Sequence, residues 1–452
     1  MISKRVSLVV LIAGFLLAAG GAAAQALNEE TDFGLPQYYG RGKNVSVMER
    51  ERPDYQALGV HAGGFTVFPK LEVGLDYTDN AFAVSGSSGN QQPPFNGPKS
   101  DIGFIVSPSI LAQSNWGRHA LAVLASVKNE AFANYPSEDR TAYTVQSTGR
   151  IDVHGDSYIN LGFDTEHDYE DRGSTTTQTQ AAKPVSYDTQ GIFARGLYSA
   201  DRFRAALDLD FRNYHYFDVA QINPPIGGVP QPNTIVDESL RDFTQGRVGL
   251  RTDYALTPDE AVFAKFTVSE GDYFTGNVFS PKRNYQETQY LVGANFDVTA
   301  LTRGEIGLGF VDREYTLSFY RGISGLAAKV KVEYFPTQLV TVTLTGQRLV
   351  EDAAFSQAGG YFENLVTLGA DWEAKRNIIV SALAGYEIDQ FDGIDRTDTV
   401  ANVKLIGRYF LSRYVGLGTT VSYTNRGSTG TPGLTGPVYD ETRILFSLVF
   451  QR

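Results

Sequence analysis

From Phe65 onward, apolar and polar positions alternate one by one. Leu71, Val73, Leu75 and Tyr77 interleave with Lys70, Glu72, Gly74 and Asp76. Phe203, Leu207, Leu209 and Phe211 interleave with Arg204, Asp208, Asp210 and Arg212, and Ala328, Val330, Val332 and Tyr334 with Lys329, Lys331 and Glu333. Successive side chains of a strand point to opposite faces, so each such segment has one greasy and one wet side. Apolar residues three and four apart, as a helix would need, form no long stretch. The pattern predicts strands near 65–79, 101–114, 118–132, 140–153, 157–168, 186–199, 202–216, 240–256, 260–271, 285–299, 303–315, 325–335, 338–348, 361–373, 377–390, 397–410, 413–425 and 440–451. Strands of about 9–11 tilted residues cross a bilayer.

The connectors alternate in length. Short ones, such as His154-Gly155-Asp156, Thr257-Pro258-Asp259 and Ala374-Lys375-Arg376, are followed by long Gly-, Ser-, Pro- and Asn-rich ones near 80–100, 169–185, 217–239, 272–284, 349–360 and 426–439. The expected fold is therefore all-β: a transmembrane antiparallel up-and-down β-barrel of 16–18 strands, with both termini periplasmic and the long loops facing outward. In hydrocarbon every backbone group needs a partner, and a closed barrel supplies one. A propeller with blades of similar period and a soluble sandwich are the β alternatives. Tyr77, Tyr143, Tyr158, Tyr198, Tyr254, Tyr290, Tyr334, Tyr386, Tyr409, Tyr414 and Tyr423 fall near strand ends, where headgroup-level girdles form.

The wet faces nominate pore-lining residues: Lys70, Glu72, Arg150, Asp152, Asp164, Glu166, Arg204, Asp208, Asp210, Arg212, Arg247, Arg251, Lys265, Asp297, Lys329, Lys331 and Glu333. Charges on these rows suit a water-filled interior and no other part of a membrane barrel.

Residues 1–24 have the layout of a cleavable signal peptide: Lys4 and Arg5, an apolar run over 6–19, and Ala22-Ala23-Ala24 before Gln25. An uncleaved anchor helix is the alternative. Residues 25–63 do not alternate and read as a periplasmic N-terminal tail or plug segment ahead of a barrel over 64–452. The chain has no cysteine, which excludes a disulfide scaffold, a thiolate metal site and a lipoprotein anchor. A net charge of −12 speaks against nucleic acid as a partner.

His61, His119, His154, His167 and His215 show no ligand spacing, and no catalytic, cofactor or metal residues are nominated. Asp208 and Asp210 read as a wet wall rather than a glycosidase pair. The stretch Asp168-Tyr169-Glu170-Asp171 reads as a solvated loop cluster rather than a cation site.

Three motifs carry a family resemblance. These are Arg52-Pro53-x-Tyr55-x-x-Leu58-Gly59-Val60, Gly64-Phe65-x-x-Phe68-Pro69-x-Leu71-x-Val73, and Asp76-Tyr77-x-Asp79-Asn80-x-Phe82. With Trp116-x-Arg118-His119-x-Leu121 and Glu170-Asp171-Arg172-Gly173-Ser174, the chain from 45 to 452 resembles the putative β-barrel porin 2 family of outer-membrane proteins. It departs from the usual outer-membrane ending, because Phe450 is followed by Gln451 and Arg452. The resemblance implies a non-enzymatic channel in the Gram-negative outer membrane without a cofactor. It also implies a link with exopolysaccharide export. Expected partners are outer-membrane lipid and lipopolysaccharide, the barrel-assembly machinery and periplasmic polysaccharide-export proteins. A general or solute-selective diffusion porin, with one long loop (80–100 or 217–239) folded inward, and a structural or adhesive barrel with a closed lumen are the other readings.

Overall fold

The computed structural model describes residues 44–86, 95–175, 181–223, 231–298 and 301–452, so the signal-peptide reading of 1–24 lies outside the described residues. Eighteen long strands form one closed antiparallel barrel, the upper end of the expected range. In chain order they are β1 Phe65–Thr78, β2 Asp101–Ser114, β3 Ala120–Phe132, β4 Arg140–His154, β5 Ser157–Tyr169 and β6 Ser186–Ala200. Next come β7 Phe203–Tyr216, β8 Phe243–Ala255, β9 Glu260–Tyr273, β10 Tyr285–Val298, β11 Thr302–Tyr315 and β12 Ile323–Thr337. The last six are β13 Val340–Asp352, β14 Gly360–Lys375, β15 Ile378–Phe391, β16 Arg396–Phe410, β17 Val415–Gly430 and β18 Tyr439–Gln451.

Each strand pairs with its sequence neighbour, and the first pairs with the last. Thr78 of β1 lies opposite Asp101 of β2 on one side and Arg443 of β18 on the other, so no sheet edge is left open. Most ladders run without a break. The register shifts at Asp152/His154, Tyr334/Thr337 and Glu373/Lys375 all sit where a short turn reverses the chain. Both ends of the barrel segment lie at this short-turn end, as an even strand count requires.

The alternation in the sequence becomes two faces. Leu75, Phe104, Ile192, Leu308 and Phe446 are each about half exposed on the outside, in a belt around the whole barrel. A water-soluble monomer does not expose a continuous apolar belt of this extent, whereas hydrocarbon accepts it. The inner face carries Asp76, Asp208, Arg251, Glu363, Asp398 and Arg426, all buried. Ten of the eleven tyrosines expected in the girdle are exposed. Tyr158 is the correction: it turns inward, 8% exposed, beneath the Arg150 guanidinium at 4.0 Å from its ring centre. The cation over its ring face stabilises the inward position.

Candidate functional site

The inner wall is laced by ion pairs between residues two apart on one strand or one to three strands apart. Arg251 donates to Asp253 on its own strand at 2.8 and 2.6 Å, and to Glu305 of β11 at 3.2 and 3.0 Å. Arg212 of β7 grips Asp164 of β5 with two bonds of 2.9 Å. The strand between them contributes Gly191, which is in register with both. A Cβ there would lie 2.6 Å from Asp164 Oδ1 and 2.9 Å from Arg212 Nη2, so the bridge needs glycine. Arg195 is bonded to Asp208, Arg150 to Asp152 at 2.7 Å, and Lys70 to Glu72 at 3.6 Å. Arg443 joins Asp76 and Glu130 at 2.5 and 3.2 Å, and Arg426 and Arg396 both hold Asp398. Breaking one of these pairs would strand a buried charge, which costs more than the pair itself contributes.

All seventeen nominated residues fall on the inward side of the strand alternation. They are not one cluster but bands distributed around the wall. Arg212 lies 3.8 Å from Asp210 as well as against Asp164, and Glu333 accepts from Arg303 at 2.5 Å. Arg247 donates to Gln245 at 3.0 Å. Arg204, Lys265 and Glu166 are half-buried, Asp297 is buried, Lys329 is half-buried, and Lys331 is the exposed member of the set.

Among the described residues, the long-loop mouth is crossed by residues 170–175, which follow β5; the middle parts of the two loops the sequence suggested, 87–94 and 224–230, lie outside the described residues. Thr175 donates to Asp389 of β15 at 2.5 Å and accepts from Arg426 of β17 at 3.1 Å, eight and six strands from β5 around the barrel. Gly173 lies beneath the Tyr439 ring, where a Cβ would be 2.0 Å from the phenol oxygen. The other flank is tied by two buried arginines. Arg241, in the 3-10 turn Glu238–Arg241, binds Glu170 at 3.1 and 2.5 Å and Glu238 at 2.9 Å, with its guanidinium 4.0 Å from the Tyr216 ring centre. Arg172 makes a fork to Glu138 at 2.8 and 2.5 Å and lies over Phe82 and Phe95. Burial pushes the Glu238 carboxyl above its usual range despite the pull of Arg241. Glu170 is therefore a buried anchor, not part of a solvated loop cluster; Asp171 keeps 71% of its side chain exposed and lies 3.5 Å from Arg140.

Inward aromatic residues support this mouth. Tyr214, Phe243 and Tyr273, on three consecutive strands, stack with centroids 4.5 and 4.9 Å apart. Ala181, Val185 and Val219 from the connecting segments bury them.

At the short-turn mouth, residues 44–56 lie against the inner wall. Val47 is fully buried among Ile379, Phe410 and Val449, and its amide donates to Thr341 Oγ1 at 2.9 Å. Arg50 and Arg52 reach Glu373 at 2.9 and 3.3 Å, and Glu49 accepts two bonds from Arg303 at 3.1 and 2.9 Å. Burial works against the Glu49 carboxylate, but the Arg303 guanidinium outweighs it and holds the group below its usual range.

Much of this wiring was not nominated from sequence. Arg195, Glu305, Arg313, Asp398, Arg426 and Arg443 share the inward parity and could have been found by extending it along each strand. Their strands carry inward apolar residues as well, such as Val311 beside Arg313, which blurs the alternation. Glu363, Glu387 and Asp389 bring carboxylate oxygens within 4.8 Å of one another on β14 and β15. A cation or a shared proton would relieve their repulsion, and no sequence spacing marks them, because the barrel register alone aligns them.

Among curated proteins nothing matches the chain. Solved structures to which the chain shows some similarity include the outer membrane protein OpdK of Pseudomonas aeruginosa, 10% identical over 85% of this chain and 99% of that one, with a TM-score of 0.43. OccAB3 of Acinetobacter baumannii is 12% identical over 85% and 99%, with a TM-score of 0.44. The ferric-catecholate import receptor Fiu of E. coli K12 is 9% identical over 85% and 81%, with a TM-score of 0.44. Likeness at this level carries neither cargo nor mechanism across. The family model described as "Putative beta-barrel porin 2" matches residues 52–452, the whole barrel with part of the segment that leads into it, and the chain belongs to that family of outer-membrane β-barrels.

Proposed function

We propose that this barrel is a passive outer-membrane channel for uncharged, hydroxyl-rich cargo, serving the export of a surface polysaccharide. The observation that carries the reading is the pairing of charge on the wall. Arg195–Asp208, Arg212–Asp164, Arg251–Asp253–Glu305, Arg443–Asp76–Glu130 and Arg396–Asp398–Arg426 place opposite signs side by side. Such a wall is rich in hydrogen-bonding groups and sets opposite signs side by side over most of its area, with the Glu363, Glu387 and Asp389 group as its acidic exception. A hydrated sugar could exchange hydrogen bonds along it without being trapped, while an ion would gain little from entering. The seventeen inward residues supply that lining, with the short-turn end toward the periplasm.

A second reading is a solute-selective diffusion porin. It is favoured by residues 170–175, whose bonds to Asp389 and Arg426 narrow the long-loop mouth. A deletion strain separates the two. Lost surface polysaccharide with normal small-solute uptake supports export. Normal polysaccharide with impaired uptake of small sugars refutes it in favour of the porin.

A further inference from the structure

We infer that residues 44–56 are a resident stopper of the short-turn mouth, seated by an apolar contact centred on Val47 and released by breaking ion pairs to the wall. The inference rests on the channel reading and adds a closed state to it.

The segment is locally built for the task. Ser46 and Glu49 form a reciprocal capping box: the Ser46 amide donates to Glu49 Oε2 at 3.1 Å and the Glu49 amide to Ser46 Oγ at 3.2 Å. That turn presents Val47 on one side and Glu49 and Arg50 on the others. Val47, with no exposed surface, sits between Ile379, Phe410 and Val449, three inward apolar residues at the short-turn ends of their strands. An apolar patch on the wet face of a barrel has no reason to face water, and here Val47, with Met48 and Tyr55 packed beside it, covers it.

The polar contacts span one arc of the mouth, from β11 to β18. Arg303 on β11 holds Glu49 and the Asn44 carbonyl, while Arg50 donates to the Gln338 carbonyl in the turn between β12 and β13. Glu373 on β14 is 2% exposed and takes both Arg50 and Arg52. Arg408 on β16 approaches the Met48 sulfur at 3.9 Å. Gln451 donates to the Tyr55 carbonyl at 3.2 Å and to Arg413 at 3.1 Å. Gln451 thus ties the segment to the last strand and to the turn between β16 and β17. Without the segment, Glu373 would stand as an acid at the mouth with no cation of its own from residues 44–56.

The test uses single-channel conductance of the full mature chain in planar bilayers. The chain lacks cysteine, so the paired substitution Val47→Cys with Thr341→Cys adds the only thiols. When oxidised, this variant is expected to stay closed, and a reductant to return it to the parent's behaviour. Arg50→Glu with Arg52→Glu is expected to raise the open fraction at least about tenfold, equivalent to about 1.4 kcal/mol of lost seating. Adding Glu373→Arg to that pair is expected to restore closure, a rescue that misfolding would not give. A cross-link that does not form, or that leaves conductance unchanged while all variants conduct like the parent, overturns the stopper and leaves the channel standing. If no variant conducts at all, the channel reading falls as well.

Discussion

Arg241→Met should unlatch the segment that crosses the long-loop mouth. Arg241, Glu170 and Glu238 are 6, 2 and 1% exposed, so water screens their interaction little. Methionine keeps the bulk over the Tyr216 ring but leaves two buried carboxylates without their cation. Removing one partner of a buried pair costs about 3–5 kcal/mol. The barrel itself is held by backbone ladders that this change does not touch, so the loss falls on the closed state of residues 170–175. At about 1.4 kcal/mol per tenfold, the closed-to-open ratio should drop by roughly two to three and a half powers of ten. Trypsin reads this directly, because Arg172 lies within the segment and is shielded by Glu138, Phe82 and Phe95. Cleavage after Arg172 should accelerate sharply while the folded barrel keeps its fast, heat-sensitive migration on gels. Adding Glu170→Gln and Glu238→Gln should restore much of the protection, since uncharged groups tolerate burial without a cation. Unchanged cleavage after Arg172 in the single variant would refute the latch.

Three further outcomes follow from the same geometry. Gly191→Val should push Arg212 off Asp164 and lower barrel stability by about 2–3 kcal/mol, read as a lower denaturant midpoint in detergent; Gly246→Val, with nothing within 4 Å of its Cβ position, is the matched control. Phe446→Arg, on the belt near the middle of β18, should destabilise the membrane-inserted barrel by about 2–4 kcal/mol in liposome refolding, whereas Lys329→Leu on the inner face should leave insertion intact. The raised Glu238 carboxyl favours the closed mouth in its protonated form. Its contribution is full below about its ordinary value of 4.5 and is lost as pH rises through its elevated folded value. Protection of the Arg172 bond should therefore weaken over that rise, and Glu238→Gln should flatten this part of the profile.

The strands were legible because a membrane barrel imposes one rule on every strand. Leu207, Leu209 and Phe211 must meet lipid while Asp208, Asp210 and Arg212 must avoid it, so the period of two is written openly. Inward positions were legible only as a face. The same parity that nominated Arg212 says nothing of Asp164, two strands away. Their meeting depends on Gly191 leaving room, and glycine in a strand gives no such signal by itself. Tyr158 was misplaced for a different reason: a ring near a strand end suits a girdle, but the alternation sets it on the face of Asp164 and Glu166, opposite Ile159 and Leu161, and Arg150 over its ring stabilises it there.

The sequence by itself determined the alternation, the number of strands and their closure, because lipid and water sort side chains by polarity at every second residue. Only the tertiary structure decided what fills the two mouths. Residues 44–56 and 170–175 have no period, and they are positioned by partners up to hundreds of residues distant, such as Thr341 for Val47 and Asp389 for Thr175. Contacts of that range exist only once the sheet has closed on itself and brought the opposite wall within reach.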